Sequence, residues 1–365
     1  MVPRPVDLPV EDLMFGDPPS PEDGSVLGRS REGREILGWR LGDGADRVSL
    51  IAGCHADEPV GPETLRRMVG YLSQRPAGDP LLAQYSWLLV PDVNPDGARR
   101  NASWTGSTVP VLDHKKRADR GFDLAAYALG VQRELPGDDV EFGFPETPDD
   151  AAARPENRAV AAFLAAGAPF LLHGTLHGMG FAPGPWFLLE PAWIERTAGM
   201  RDALRKVVRG MGLGLLDVDR GGDKGFFRID EGFSTRPDSG AMRAHFEALG
   251  DPATAALFRP SSMEYVRGLG GDPLTFVSEM PLFLLPPPEA ADDPRTAFRA
   301  GTEASRERHR WLAEVAHRET PAAVRRFAAE RGIRPLPIRD QMRLQLALVN
   351  EALRAARGLP PRAER

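Results

Sequence analysis

Cysteine is almost absent: Cys54 is the only one in 365 residues. An intramolecular disulfide is therefore excluded, and the chain fits a reducing compartment. Lysine is nearly as rare, since Lys115, Lys116, Lys206 and Lys224 are the only ones and arginine carries the rest of the positive charge. No basic block interleaved with aromatics occurs, which argues against a nucleic-acid partner. No window approaches the ~18 apolar residues of a membrane helix, so no membrane partner is expected. Residues 1–19 hold acids and prolines in place of an apolar stretch. No signal peptide is legible there, and the expectation is a cytoplasmic protein.

What the chain does have is a large apolar content, 42%, and a length above that at which one core usually stops growing. Composition divides it into an irregular, proline- and acid-rich lead-in (1–24), a main domain (25–290) and a helical C-terminal extension (291–365). Apolar runs at 47–53, 85–91, 170–177, 186–190 and 274–280 predict buried strands, the last closed by Pro281. Helical spacing occurs at 62–72, 156–166, 193–212 and 239–249. Residues 98–155, broken by glycine and proline, predict a loop-rich insertion. The alternation predicts an α/β fold with a mixed, mostly parallel sheet flanked by helices.

The strongest local signal is Gly53-Cys-His-Ala-Asp-Glu-Pro59, directly after a strand. His55 and Glu58 supply an imidazole and a carboxylate, both ordinary zinc ligands, three residues apart on a tight loop. A catalytic zinc needs a third protein ligand. His173 and His177 share parity on a later strand and so point to one face. His177, expected at the strand's C-terminal end, is the first choice; His173 is the alternative, with a supporting role if it is not the ligand. A His-x-x-Glu pair alone is common and carries little weight.

Its company adds that weight. Gly28-Arg-Ser-Arg-Glu-Gly-Arg-Glu-Ile36, Ala52-Gly-Cys-His-Ala-Asp-Glu-Pro-Val-Gly61, Pro91-Asp-Val-Asn-Pro-Asp-Gly97, Gly121-Phe-Asp-Leu124, Leu176-His-Gly178 and Thr275-Phe-Val-Ser-Glu279 follow one another in the chain. In this order they resemble the M14 zinc carboxypeptidase family, over roughly residues 26–285. The resemblance implies a zinc carboxypeptidase-like fold and catalytic domain and one Zn²⁺ per chain held by His55, Glu58 and His177. It also implies hydrolysis of a peptide or small-molecule amide, with Glu279 as general acid/base. It makes Asp123 the residue that orients His55 from behind. For the oxyanion it implies Arg117, or Lys116 if no gap is allowed, from His114-Lys-Lys-Arg-Ala-Asp-Arg120.

The pattern breaks at one place. The family holds a terminal carboxylate with an Asn-Arg pair, where this chain has Ala125-Ala126. Arg259, Arg133 and Arg236 are the arginines open to that task, Arg259 being the preferred one. The competing readings are a zinc peptidase of the carboxypeptidase type, a deacylase of N-acyl amino acids, and a metal-binding scaffold without activity. The oligomeric state is not legible.

Overall fold

The computed structural model describes residues 6–14, 23–106, 119–286 and 320–362, together with Arg310 and Glu314. Ten strands form one sheet: β1 Ser25–Arg29, β2 Glu35–Leu41, β3 Asp46–Ala52, β4 Tyr85–Val90, β5 Leu172–Ala182, β6 Trp186–Leu189, β7 Arg228–Asp230, β8 Phe233–Thr235, β9 Leu274–Leu284 and β10 Arg334–Pro335. Their order is β1-β2-β4-β3-β5-β9-β6-β8-β7, with β10 beside β9. The centre, β4-β3-β5-β9, is parallel. Antiparallel pairings with β2 and β6 extend it on both sides.

The parallel centre has the sequence character that burial on both faces demands. Within β3, Val48, Leu50 and Ala52 face one core and Ile51 the other. The first face is covered by helices α1 Val60–Ser73, α3 Ala198–Gly210 and α7 Ile338–Ala356. The second is covered by α2 Pro155–Ala165 and α5 Ser262–Gly268. Helix α4 Ser239–Ala248 lies outside these layers, and α6 Pro321–Glu330 packs on the short helix Leu124–Gly130.

Two strands run longer than the sequence suggests. Strand β9 passes through Pro281, expected as its end. Its pairing with β6 stops at Glu279 and that with β10 starts at Phe283, so Pro281 falls where one edge is unpaired and a missing N–H is tolerated. Strand β5 continues to Ala182, which places His177 in mid-strand and not at its end.

The lead-in is not irregular throughout. Val10–Met14 is helical, and Leu8, Leu13 and Met14 are buried in the main core. The Leu8 amide donates to Asn350 Oδ1 at 2.7 Å, and Asn350 Nδ2 donates back to the Leu8 carbonyl. No helix among the described residues is long and apolar enough to cross a membrane.

Candidate metal centre

Strand β3 ends at Ala52, and the chain turns at Gly53, whose φ of +74° lies in the left-handed region that glycine enters without steric cost. That turn delivers His55 and Glu58 above the carboxyl ends of the parallel strands, the usual place for a site in such sheets. Helix α1 starts at Val60 and lies close against β5: a Cβ on Gly61 would sit 2.1 Å from the Leu176 carbonyl oxygen. The bare backbone of Gly61 thus lets the loop carrying Glu58 approach the strand carrying His177.

His55 Nδ1 lies 2.8 Å from Glu58 Oε1, and His177 Nδ1 lies 2.8 Å from Glu58 Oε2. The two Nδ1 atoms are 3.2 Å apart. For zinc bonds of about 2.0–2.1 Å, a tetrahedral donor set has edges of about 3.3 Å. The donor types and the spacing of these three residues fit a zinc ion. Two facing imidazole lone pairs repel unless a cation or a proton lies between them, which points the same way.

On the outer side, His55 Nε2 lies 3.2 Å from Glu141 Oε2 and 3.5 Å from Asp139, and His177 Nε2 lies 3.8 Å from Glu141 Oε1. His177 Nε2 is buried without a hydrogen-bond partner. His55, Glu141 and His177 therefore also form a group with donor atoms within 4.8 Å of one another. The Nδ1 side, closed by Glu58, is the tighter of the two.

Burial alone would lower the pKa of both histidines. The surrounding carboxylates outweigh it and raise both well above the usual range: Glu58 and Asp139 for His55, Glu141 and Glu58 for His177. Burial would raise Glu58, but the two imidazoles hold it down. Three carboxylates, Glu58, Asp139 and Glu141, converge on the two imidazoles, and a divalent cation would supply the balancing charge while displacing protons.

His173 is placed differently. Its Nδ1 pairs with Ser49 Oγ at 2.7 Å and its Nε2 with Ser262 Oγ at 3.0 Å. Burial, aided by the charge of Arg236, lowers its pKa to about 3. It is a neutral histidine joining β3, β5 and α5.

Glu279 is the register partner of His177 on β9. It is half-buried, and desolvation together with the charge of Glu58 raises its carboxyl well above the usual range.

Other expected roles fall elsewhere. Asp123 does not touch His55: it caps helix Leu124–Gly130 through the Ala125 amide and pairs with Arg325 at 2.6 Å. The place behind His55 belongs to Asp139 and Glu141. No sequence motif marks them: they lie in a bend and turn in which the Glu141 amide donates to Asp139 Oδ1 at 2.7 Å. Arg259 is committed to an ion pair with Asp150, and Arg236 to Glu190 at 2.7 Å. Arg133 lies nearer the centre, its Nε 2.5 Å from Asp57 and its Nη2 3.1 Å from the Tyr127 hydroxyl. Ala125 is buried in the core, and Ala126 packs against it. Arg117 and Lys116 lie outside the described residues.

Residues 23–182, which carry both histidines and Glu58, match the model of the zinc carboxypeptidase family, peptidase family M14. Over this segment, less than half of the chain, the sequence is similar to that family. Human carboxypeptidase D is 28% identical to this chain over 163 residues, 42% of the chain. The match covers 10% of that protein, so the chain spans about a tenth of the length of the curated relative it matches. Among solved structures, a metallo-carboxypeptidase from Burkholderia cenocepacia aligns with a TM-score of 0.45 and 14% identity, covering 92% of this chain and 65% of that one. A metallo-carboxypeptidase from Pseudomonas aeruginosa, solved with (2-guanidinoethylmercapto)succinic acid, gives 0.43 and 18%, covering 94% and 68%.

Proposed function

We propose that the protein is a zinc-dependent hydrolase of peptide or amide bonds, with His55, Glu58 and His177 holding one zinc ion and Glu279 moving the proton. The convergence of His55 Nδ1, His177 Nδ1 and the Glu58 carboxylate carries this reading. A zinc ion held there would acidify a water molecule and polarise the scissile carbonyl. Glu279, beside His177 on the adjacent strand, accepts the water proton and returns it to the leaving nitrogen. Glu141 and Asp139 face the outer nitrogen of His55 and fix its ring and tautomer.

The burial of Ala125 and Ala126 favours a substrate specificity different from that of an Asn-Arg clamp, because neither methyl group can hold a carboxylate. Arg133, held by Asp57 and Tyr127 beside the loop of Glu58, is the candidate for the oxyanion.

Metal analysis of the purified chain, followed by assays on short peptides and N-acyl amino acids, tests the proposal. One zinc per chain and zinc-dependent amide cleavage are expected. A chain that binds no zinc under loading conditions ends the proposal.

A further inference from the structure

A cavity of about 450 Å³ opens between α3 and the end of α7, lined by Trp193, Arg196, Met200, Glu351, Arg354 and Leu359 among others. It lies far from the metal centre. Strand β6 runs from Trp186, beside Glu279, to Leu189, beside Phe276, and the Glu190 amide then donates to the Thr275 carbonyl. Trp193 therefore emerges at the amino ends of the parallel strands. The end of α7 lies there too, since Arg357 pairs with Asp46, the first residue of β3. His55 and Glu58 follow the opposite, carboxyl end of that strand.

Two buried polar atoms of the lining have no hydrogen-bond partner, the Trp193 indole Nε1 and Glu351 Oε2. Trp193 is 4% and Glu351 6% exposed. The other Glu351 oxygen accepts from the Arg362 amide at 3.4 Å, a long bond. The two arginines of the lining are engaged elsewhere. Arg354 pairs with Asp7 at 3.0 Å and donates to the Pro360 carbonyl at 2.9 Å. Arg196 pairs with Asp272 at 2.6 Å and lies 3.3 Å over the Trp193 ring. Burial raises the Glu351 carboxyl above its usual range, and the Arg362 amide and the charge of Arg354 offset this only in part. A buried donor and a buried acceptor without partners call for a reason in a native fold. Water fills small polar cavities. This one has the size of small-molecule sites, about 300–1,000 Å³, and Met200, Leu359, Pro360 and Pro361 give it an apolar wall.

We infer that this cavity binds a small primary amine with an apolar body and a neighbouring oxygen acceptor, an amino alcohol in its simplest form. The ammonium donates to Glu351 Oε2, the oxygen accepts from the Trp193 indole N–H, and the apolar body covers the wall. Ala355 and Ala356, the last residues of α7, bring the partial negative charge of a helix end to the same cavity, which favours a cation. A carboxylate would instead face Glu351 as a like charge. The site is independent of the hydrolase reading, because no residue of its lining belongs to the metal centre.

The test is titration calorimetry of phenylalaninol against the full zinc-loaded chain. Phenylpropanol, which lacks the amine, and hydrocinnamate, which carries a carboxylate, are the controls. Wild type should bind the amine and neither control. Glu351→Gln and Trp193→Phe should each weaken the amine at least tenfold. Glu351→Gln should melt no lower than wild type, because it removes a buried charge whose hydrogen bond is a long one. The metal centre is itself acidic, so Glu141→Gln is the counter-test and should leave the affinity unchanged. No binding to wild type, wild-type affinity in Glu351→Gln, or loss only in Glu141→Gln would each overturn the site. A lower melting temperature in Glu351→Gln together with wild-type affinity in Trp193→Phe would give the pair a structural role and overturn the site as well.

Discussion

Single side chains decide the chemistry, and they separate cleanly by substitution. Glu279→Gln keeps the shape beside His177 and removes the titrating proton. Zinc content should stay at wild-type level while turnover falls by about 10²–10⁴-fold; unchanged turnover would exclude Glu279 from proton transfer. His177→Ala should lose zinc, while His173→Ala should keep it, because both His173 nitrogens are bonded to serines. Zinc content of the two variants by mass spectrometry decides the pair. His173 also makes a pH prediction. An unfolded histidine protonates near 6.5, but in the fold only near 3. Below about pH 6.5 the unfolded chain therefore binds the extra proton, and stability falls with pH by up to about 1.4 kcal/mol per unit over that window. The slope of unfolding free energy between pH 6.5 and 4.5 should be smaller in His173→Gln than in wild type. The pairing of His55 with Glu58 was legible at this scale because two residues of one tight loop leave a local mark. Asp123 misled because its motif matched a family pattern, while its local context, an acid directly before Leu-Ala-Ala, is that of a helix cap. Glu141 left no motif, since its partners are 86 and 36 residues away in the chain and only the fold brings them together.

Elements explain why the centre is so closely drawn. Helix α1 approaches β5 through Gly61, and the approach sets the distance between Glu58 and His177. A Cβ at 2.1 Å from the Leu176 oxygen cannot be accommodated without moving backbone. Gly61→Ala should cost about 1–3 kcal/mol, the usual range for overpacking, and should also weaken zinc binding, because the displaced loop carries Glu58, a proposed ligand. Gly78→Ala, where a Cβ meets nothing within 4 Å, serves as the control. Melting temperature and zinc affinity measured on both variants test this, and wild-type zinc affinity in a destabilised Gly61→Ala would separate the helix contact from the site. The strand runs were legible from their apolar length. Their true ends were not, because whether Pro281 or His177 ends a strand depends on which neighbour pairs there, and single-sequence periodicity does not contain that information.

For the molecule as a whole, the composition change near residue 290 marks no change of core. Met342, Leu344, Leu348, Val349 and Leu353 of α7 belong to the same buried cluster as Val48 and Leu50 of β3. The helix is also wired to the centre. Gln345 Oε1 accepts from Thr64 of α1 at 2.6 Å, and its Nε2 donates to the His177 carbonyl at 3.2 Å and to Ser278 Oγ at 3.3 Å. One buried amide thus joins the helix after Glu58, the strand of His177 and the residue before Glu279. Gln345→Leu keeps the volume but removes these three hydrogen bonds, Thr64 keeping only its bond to the Val60 carbonyl, at about 1–3 kcal/mol for an unsatisfied group. Because the three groups lie next to three site residues, the loss should appear in zinc affinity as well as in melting temperature. A surface variant on the same helix, Arg343→Gln, breaks only solvent-accessible pairs with Glu11 and Asp340 and should shift neither by a measurable amount. If Gln345→Leu lowers the melting temperature and leaves zinc affinity at the wild-type value, α7 supports the core without holding the centre. If both fall together, the C-terminal helix is part of the machinery that holds His55, Glu58 and His177 together.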